Sequence, residues 1–172
     1  HCSVLQEIEI TDAVQIYGAE AFYQCPKLYV REFNTQAKTI CYSVFYGVTI
    51  GDLIVSKDFV PATEWKENGA FDGALLERLT FGEGLTKIPD YLLRNCDSIT
   101  ELAIPEGVQS IGTRAFFRCS KLERVVLPGS LTEIGEQAFR YCSALNDINV
   151  SAGVTVGDSA FADCSSLEVI PQ

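Results

Sequence analysis

Apolar residues recur along this chain at a nearly constant interval, and that interval limits the folds open to it. Between Ile99 and Leu122 the apolar positions are Leu102, Ile104, Val108, Ile111, Ala115, Phe116 and Cys119. The units open at residues 5, 28, 50, 76, 99, 122, 145 and 167, so they are 22, 23 or 26 residues long. A period in this range is typical of solenoids, in which each unit stacks on the next. We therefore predict one solenoid domain over residues 1–172, with seven complete units.

Each unit contains two local patterns. Apolar residues at offsets 0, 3 and 5 predict a short strand, bounded by a turn residue such as Pro105 or Pro128. The Ala-Phe-x-x-Cys-x-x-Leu pattern that follows, as in residues 115–122, has the spacing of the buried side of a helical turn. The predicted fold class is therefore α/β, with one strand and one short helical turn per coil. The pattern slips between Phe59 and Ala70, which indicates an inserted loop of about three or four residues.

Two small residues recur at fixed offsets. Five of the seven cysteines share one column, in which Val48 and Ala74 fill the remaining units. Replacement by apolar residues indicates a buried packing position with reduced thiols, and zinc is disfavoured because no Cys-x-x-Cys or histidine spacing accompanies the column. A glycine follows an isoleucine at Gly112 and at Gly135, and Pro89 takes the same position in another unit. Proline excludes a positive φ, so we expect close packing between coils there.

Several function classes are disfavoured by composition. The net charge is −10 and no basic cluster stands out, which argues against a nucleic-acid partner and against docking on an anionic membrane. No apolar run reaches the roughly 20 residues of a membrane helix, so no insertion into a membrane is expected of this portion. The only histidine is His1, which leaves serine or cysteine catalysis without a general base. We expect no enzyme activity, no catalytic residues, no metal and no cofactor.

The units resemble a known repeat family. The residues Ile-Gly-x-x-Ala-Phe-x-x-Cys-x-x-Leu, as in Ile111 to Leu122, closely resemble the BspA-like leucine-rich repeats, a subclass common in microbial surface proteins. The resemblance implies a right-handed coil stack with a parallel sheet on its concave side and helical turns on its convex side. It also implies non-catalytic binding of proteins or cell surfaces. A cell-surface or secreted location rests on this resemblance alone, and a subunit of an intracellular or organellar complex stays open.

The concave sheet face is the predicted binding surface. Offsets 0, 3 and 5 of each strand point into the core, so offsets 2 and 4 point outward. These outward positions hold the candidate partner-binding residues Glu7, Glu9, Val30, Glu32, Asp52, Ile54, Arg78, Thr80, Glu101, Ala103, Arg124, Val126, Asp147 and Asn149. The leading interpretation is a protein or cell-surface recognition module whose acidic N-terminal half fits a basic and apolar partner.

A structural subunit is the alternative interpretation. Arginines 94, 114, 118 and 140, together with Tyr141, lie on the predicted convex side and suit docking into a multi-protein complex. The partner in either case is a protein of unknown identity. The last unit opens at Leu167 and stops before its Ala-Phe turn, which leaves an apolar coil face at that end. Solenoid ends need polar caps, so we expect more repeats or a partner chain to continue the stack, as in a portion of a longer chain.

Overall fold

The described part of the chain folds into twelve short strands and no helix. This computed structural model describes residues 2–8, 10, 13–36, 38–57, 59, 61 and 69–169. The strands are β1 (Ile16–Tyr17), β2 (Tyr29–Asn34), β3 (Thr39–Ile40), β4 (Thr49–Val55), β5 (Leu75–Phe81), β6 (Lys87–Ile88), β7 (Glu101–Ala103), β8 (Ser110–Ile111), β9 (Arg124–Val126), β10 (Glu133–Ile134), β11 (Asp147–Ile148) and β12 (Thr155–Val156).

The strands pair only in parallel, each with the equivalent strand of a neighbouring coil. Two sheets have three strands each, β2-β4-β5 and β7-β9-β11. The two-residue strands form a sheet in the order β6-β8-β10-β12 and a separate pair, β1-β3. Two strands per coil give a parallel-strand β-solenoid of about six turns. The predicted repeat solenoid is therefore confirmed as an architecture, whereas the insertion expected near residues 62–68 lies outside the described residues.

The predicted helical turns are wrong. The segment after each two-residue strand consists of successive tight turns, because residues in a left-handed conformation recur four positions apart, as at Arg114 (φ 52°) and Arg118 (φ 59°). Such residues interrupt an α-helix. The freed N–H groups donate to the next coil instead: Arg114 to the carbonyl of Glu136 at 2.9 Å and Phe116 to that of Ala138 at 2.9 Å. Hydrogen bonds between coils thus replace those within a helix.

The core is built from the columns that the sequence shows. Phe116 is fully buried and its ring stacks on that of Phe139, with centroids 5.2 Å apart and planes 14° apart. Phe139 stacks in turn on Phe161 at 5.5 Å. Leu93 takes the same position one coil earlier and is also fully buried. The expected stacking of the phenylalanine column is confirmed.

The cysteine column packs in the core and also makes hydrogen bonds between coils. The thiols of Cys119 and Cys142 donate to the carbonyls of Leu93 and Phe116 in the preceding coil, at 3.0 and 3.2 Å. All seven cysteines are free. Burial raises the pKa of Cys119 to about 12 and that of Cys164 to about 11. These thiols therefore stay protonated near neutral pH and pack as small apolar groups with one weak donor.

Close packing explains the recurring glycines. A Cβ at Gly135 would lie 2.7 Å from the backbone nitrogen of Thr113 and 2.8 Å from the carbonyl carbon of Gly112 in the preceding coil. Gly157 meets Glu136 and Gly135 in the same way, at 2.6 and 2.8 Å. Neither glycine has a positive φ. The expected close approach of adjacent coils is confirmed at Gly112, Gly135 and Gly157, but not at the equivalent Gly18 of the first unit, where a Cβ would meet nothing within 4 Å.

Candidate recognition surface

The outward side chains of the two three-stranded sheets form columns across the strands, and we call this surface the strand face. Each strand of the first sheet turns two consecutive residues outward between inward positions, so that in β2 both Arg31 and Glu32 are exposed between buried Val30 and Phe33. One column holds residues in direct register: Glu32, Asp52 and Arg78 in the first sheet, and Glu101, Arg124 and Asp147 in the second. The strand face corresponds to the concave sheet face predicted from the sequence.

Both arginines of this column pair with an acid of the same column. Arg78 lies 3.6 Å from Asp52, whose other oxygen accepts a hydrogen bond from Thr80 at 2.9 Å. In the second sheet, Arg124 lies 3.0 Å from Asp147. Because both arginines face an acid on a neighbouring strand, they add little unpaired positive charge. The strand face therefore stays acidic.

An aromatic side chain crosses the first sheet. The hydroxyl of Tyr29 donates to Glu77 at 3.0 Å, two strands away. Between them lies Gly51, where a Cβ would be 2.5 Å from that hydroxyl. Glycine therefore makes room for the tyrosine ring to lie flat on the strand face. The hydrogen bond to Glu77 raises the pKa of Tyr29, because the carboxylate favours the protonated phenol.

The structure corrects the register of the first two units. The outward orientation predicted for Val30 is wrong, since Val30 is only 1% exposed and pairs with buried Ile50. Glu32 stands beside Asp52, and Asn34 takes the position beside Ile54. In the strand of the second unit, the first inward-facing position is therefore Val30 and not Leu28. This shift is visible in the sequence, because counting the offsets from Leu28 places the polar residue Arg31 at a core position.

The remaining candidates fall into three groups. Glu7 pairs with Tyr29, so it belongs to the column of Tyr29, Thr49 and Leu75 and not to that of Asp52. Glu9 lies outside the described residues. The other candidates are half-buried or exposed on the strand face, as expected: Asp52, Ile54, Arg78, Thr80, Glu101, Ala103, Arg124, Val126, Asp147 and Asn149. The strand face also contains four residues that are not among the sequence-based candidates, namely Tyr29, Arg31, Asn34 and Glu77.

The strand face is divided between its two sheets. No strand pairing joins β5 to β7, and no Cα of β5 lies within 8 Å of a Cα of β7. A cavity of about 360 Å³ occupies the division, lined by residues 76–79, 81 and 98–103. Leu79 and Phe81 are half-buried there, whereas the equivalent Leu53 and Val55 of β4 are fully buried. We call this opening the sheet gap.

The turn side carries a separate cluster of arginines and aromatic rings. The guanidinium carbons of Arg94, Arg114 and Arg118 lie 5.3, 5.6 and 5.5 Å from the centroid of the Phe117 ring. Arg140 lies 4.7 Å from the ring of Tyr141 and 3.1 Å from Asp163. Distances of this size allow cation–π attraction. The arrangement concentrates positive charge on one side of an acidic protein.

Comparison with known proteins places the chain in a family. The profile of the BspA type leucine rich repeat region matches six copies, over residues 1–62 and 67–171. The chain belongs to the BspA-type leucine-rich repeat family. Leucine-rich repeats of this kind serve as protein-interaction or surface modules and are generally non-catalytic. No curated protein matches the chain by sequence.

Two solved structures share the leucine-rich repeat fold. A leucine rich cell surface protein from Faecalibacterium prausnitzii A2-165 is 22% identical, with a TM-score of 0.55 over 88% of this chain and 51% of that protein. The leucine rich repeat protein of T. pallidum is 18% identical, with a TM-score of 0.50 over 80% of this chain and 78% of that one. The chain thus matches about half the length of the F. prausnitzii protein. Among the described residues, no helix has the length and hydropathy needed to cross a membrane.

Proposed function

We propose that this chain is a non-catalytic recognition module that binds a protein partner through the strand face. The observation that carries the proposal is the charged column from Glu32 to Asp147, whose residues lie in strand register within each of the two sheets. Repeat proteins commonly bind along such extended surfaces. The column is flanked by accessible apolar side chains, of which Val126 is 51% exposed.

Charge sets the class of partner. Arg78 and Arg124 are each paired with an acid, whereas Glu32 and Glu101 are exposed. Electrostatic complementarity contributes specificity and a faster association rate. A partner with basic and apolar side chains fits this surface best.

Docking through the turn side is the second candidate function. It makes the chain a structural subunit of a larger complex. The observation that favours it is the convergence of three guanidiniums on the ring of Phe117. An acidic surface on another subunit fits that cluster. A cell-surface location for this chain rests on the family and on the description of the F. prausnitzii protein.

Charge reversal separates the two candidates. The immobilised protein is incubated with extracts of bacterial and mammalian cell surfaces, and captured proteins are quantified by mass spectrometry. The strand-face variant is Glu32→Lys with Glu101→Lys, and the turn-side variant is Arg118→Glu with Arg140→Glu. The matched control is Glu83→Lys with Glu133→Lys, which changes the net charge equally at exposed positions outside the charged column. Circular dichroism establishes that each variant stays folded.

The strand-face proposal predicts a selective loss. Proteins captured by the wild type and the control should fall about tenfold with the strand-face variant, since like charges placed opposite a partner's basic residues repel. Equal capture by all four proteins refutes binding through the charged column. Loss with the turn-side variant alone supports the structural-subunit function instead.

A further inference from the structure

We propose that the sheet gap is a binding slot for one extended polypeptide segment of the partner, which pairs as an additional strand between β5 and β7. This inference rests on the proposed recognition function and names the part of the partner that is bound. Binding in the sheet gap differs from binding to the charged column, because the partner segment contacts the backbone edges of β5 and β7 inside the gap.

The gap is wider than the spacing between two paired strands. Neighbouring strands lie about 4.8 Å apart, so two strands with a third between them are separated by about 9.6 Å. Every Cα of β5 lies more than 8 Å from every Cα of β7, which exceeds one strand spacing. The same coils remain joined at one end of the gap, within its lining, and again beyond its other end. The N–H of Leu76 donates to the hydroxyl of Ser98 at 2.7 Å, and that of Gln109 donates to the carbonyl of Thr86 at 2.8 Å.

Backbone groups line both edges of the gap. On β7, the carbonyl of Thr100 and the N–H of Ile104 both bond to the β9 coil. Successive residues of a strand direct these groups to opposite sides, so the N–H and carbonyl of Ala103 face the gap. On β5, Gly82 donates to the carbonyl of Val55 in the β4 coil, which turns the backbone groups of Phe81 toward the gap. Such unpaired edges are the template on which an extended peptide adds as a strand.

Side chains around the gap define the chemistry of the segment. Leu79 and Phe81 are half-buried beneath it, so the bound segment should carry apolar residues at alternating positions. On the outer side, Glu77 and Glu101 are exposed at opposite edges, and Arg78 is engaged by Asp52. A basic residue on the outward side of the segment therefore finds carboxylates on both edges.

The chain itself supplies a suitable probe. The acetylated and amidated peptide Lys-Leu-Glu-Arg-Val-Val-Leu-Pro copies residues 121–128, which contain β9. Because β9 pairs in parallel with a strand on each side, this sequence is competent to pair with two edges. The control peptide carries N-methyl groups on the residues that correspond to Arg124 and Val126. It keeps every side chain but loses two backbone donors.

Residue-resolved amide exchange of the full chain tests the open gap. In the free protein, the N–H of Ala103 should exchange about tenfold faster than that of Val126, its register partner in the paired strand β9. The N–H of Phe81 should likewise exchange faster than that of Val55, its partner in β4. Exchange as slow as in those controls overturns the proposal, because the gap is then closed in solution.

Peptide binding tests the assigned occupant. The probe should slow exchange at Phe81 and Ala103 and bind about tenfold more tightly than the N-methylated control, which lacks two hydrogen bonds. The Ala103→Pro variant removes one donor at the gap and should reduce affinity while the thermal unfolding midpoint stays within a few degrees. No saturable shift at about 1 mM probe overturns the inference. Protection of the same amides through dimerisation of the chain also overturns it, since a second copy is then the occupant.

The two proposals fail in distinguishable ways. Loss of partner capture in the Glu32→Lys and Glu101→Lys variant, without peptide binding in the gap, retains the recognition function and removes the slot. Binding of the probe with unaltered partner capture removes the charged column as the recognition surface.

Discussion

The Phe116→Ala substitution tests whether the phenylalanine column holds the coils together. Phe116 is fully buried, and its ring stacks on Phe139 at 5.2 Å. Truncation of a buried phenylalanine costs about 3 to 5 kcal/mol, through lost apolar transfer and the cavity that remains. The upper part of that range is expected here, because the rings stack flat along the solenoid and a backbone tied to both neighbouring coils cannot collapse into the space. The Phe116 N–H donates to the carbonyl of Ala138 in the following coil, and the adjacent carbonyl of Ala115 accepts a hydrogen bond from the N–H of Leu93 in the preceding coil.

Urea denaturation followed by far-UV circular dichroism measures this loss. In thermal denaturation, the same cost of 3 to 5 kcal/mol corresponds to a fall of roughly 6 to 20 °C in the melting temperature of a protein of this size. Residue-level hydrogen exchange should show the coils of Phe116 and Phe139 opening first. Val126→Ala is the matched control, because Val126 is 51% exposed and its truncation should change stability by less than about 0.5 kcal/mol. A change under about 1 kcal/mol for Phe116→Ala contradicts the burial of this ring and the coil assignment.

Three further predictions concern the other columns. Gly135→Ala should destabilise the protein by about 1 to 3 kcal/mol in urea, because its Cβ meets backbone atoms of the preceding coil; Gly129→Ala, with no atom within 4 Å of its Cβ, is the control, and equal effects contradict the close approach. Iodoacetamide at pH 8 should modify exposed Cys2 well before buried Cys119 and Cys142, as read by peptide mass spectrometry; rapid labelling of the buried pair argues against the packed column. Burial raises the pKa of Cys119 from 9.0 to about 12, so the thiol loses its proton at a lower pH in the unfolded chain than in the folded protein. The contribution of this thiol to the free energy of unfolding is therefore complete below pH 9. It is lost between pH 9 and 12, by about 1.4 kcal/mol per pH unit. Cys119→Ala should flatten that alkaline loss of unfolding free energy, and an unchanged slope refutes the linkage.

Part of the recognition surface could be predicted from the sequence. From Asp52 onward, apolar offsets 0, 3 and 5 place the outward residues correctly, because a core position occupied by a polar side chain is costly and the pattern has no other consistent register. In the second unit, Leu28 and Val30 both start an apolar pattern, and the choice of Leu28 turned Val30 outward. Pairing of Val30 with Ile50 resolves the choice, since it places Phe33 in the core and Arg31 in solvent.

The period, the buried columns and the family of this protein follow from the order of its residues alone. Each of these is a repeated local requirement, for an apolar ring, a small thiol or a missing Cβ, and repetition makes it visible in one dimension. The backbone conformation of the turns depends on contacts between coils, because residues such as Arg114 adopt a positive φ when their N–H groups find acceptors in the next coil. The tertiary structure also decided where the strand ladder divides. Units four and five have matching patterns, so the separation of β5 from β7 is not visible in the local pattern of either unit.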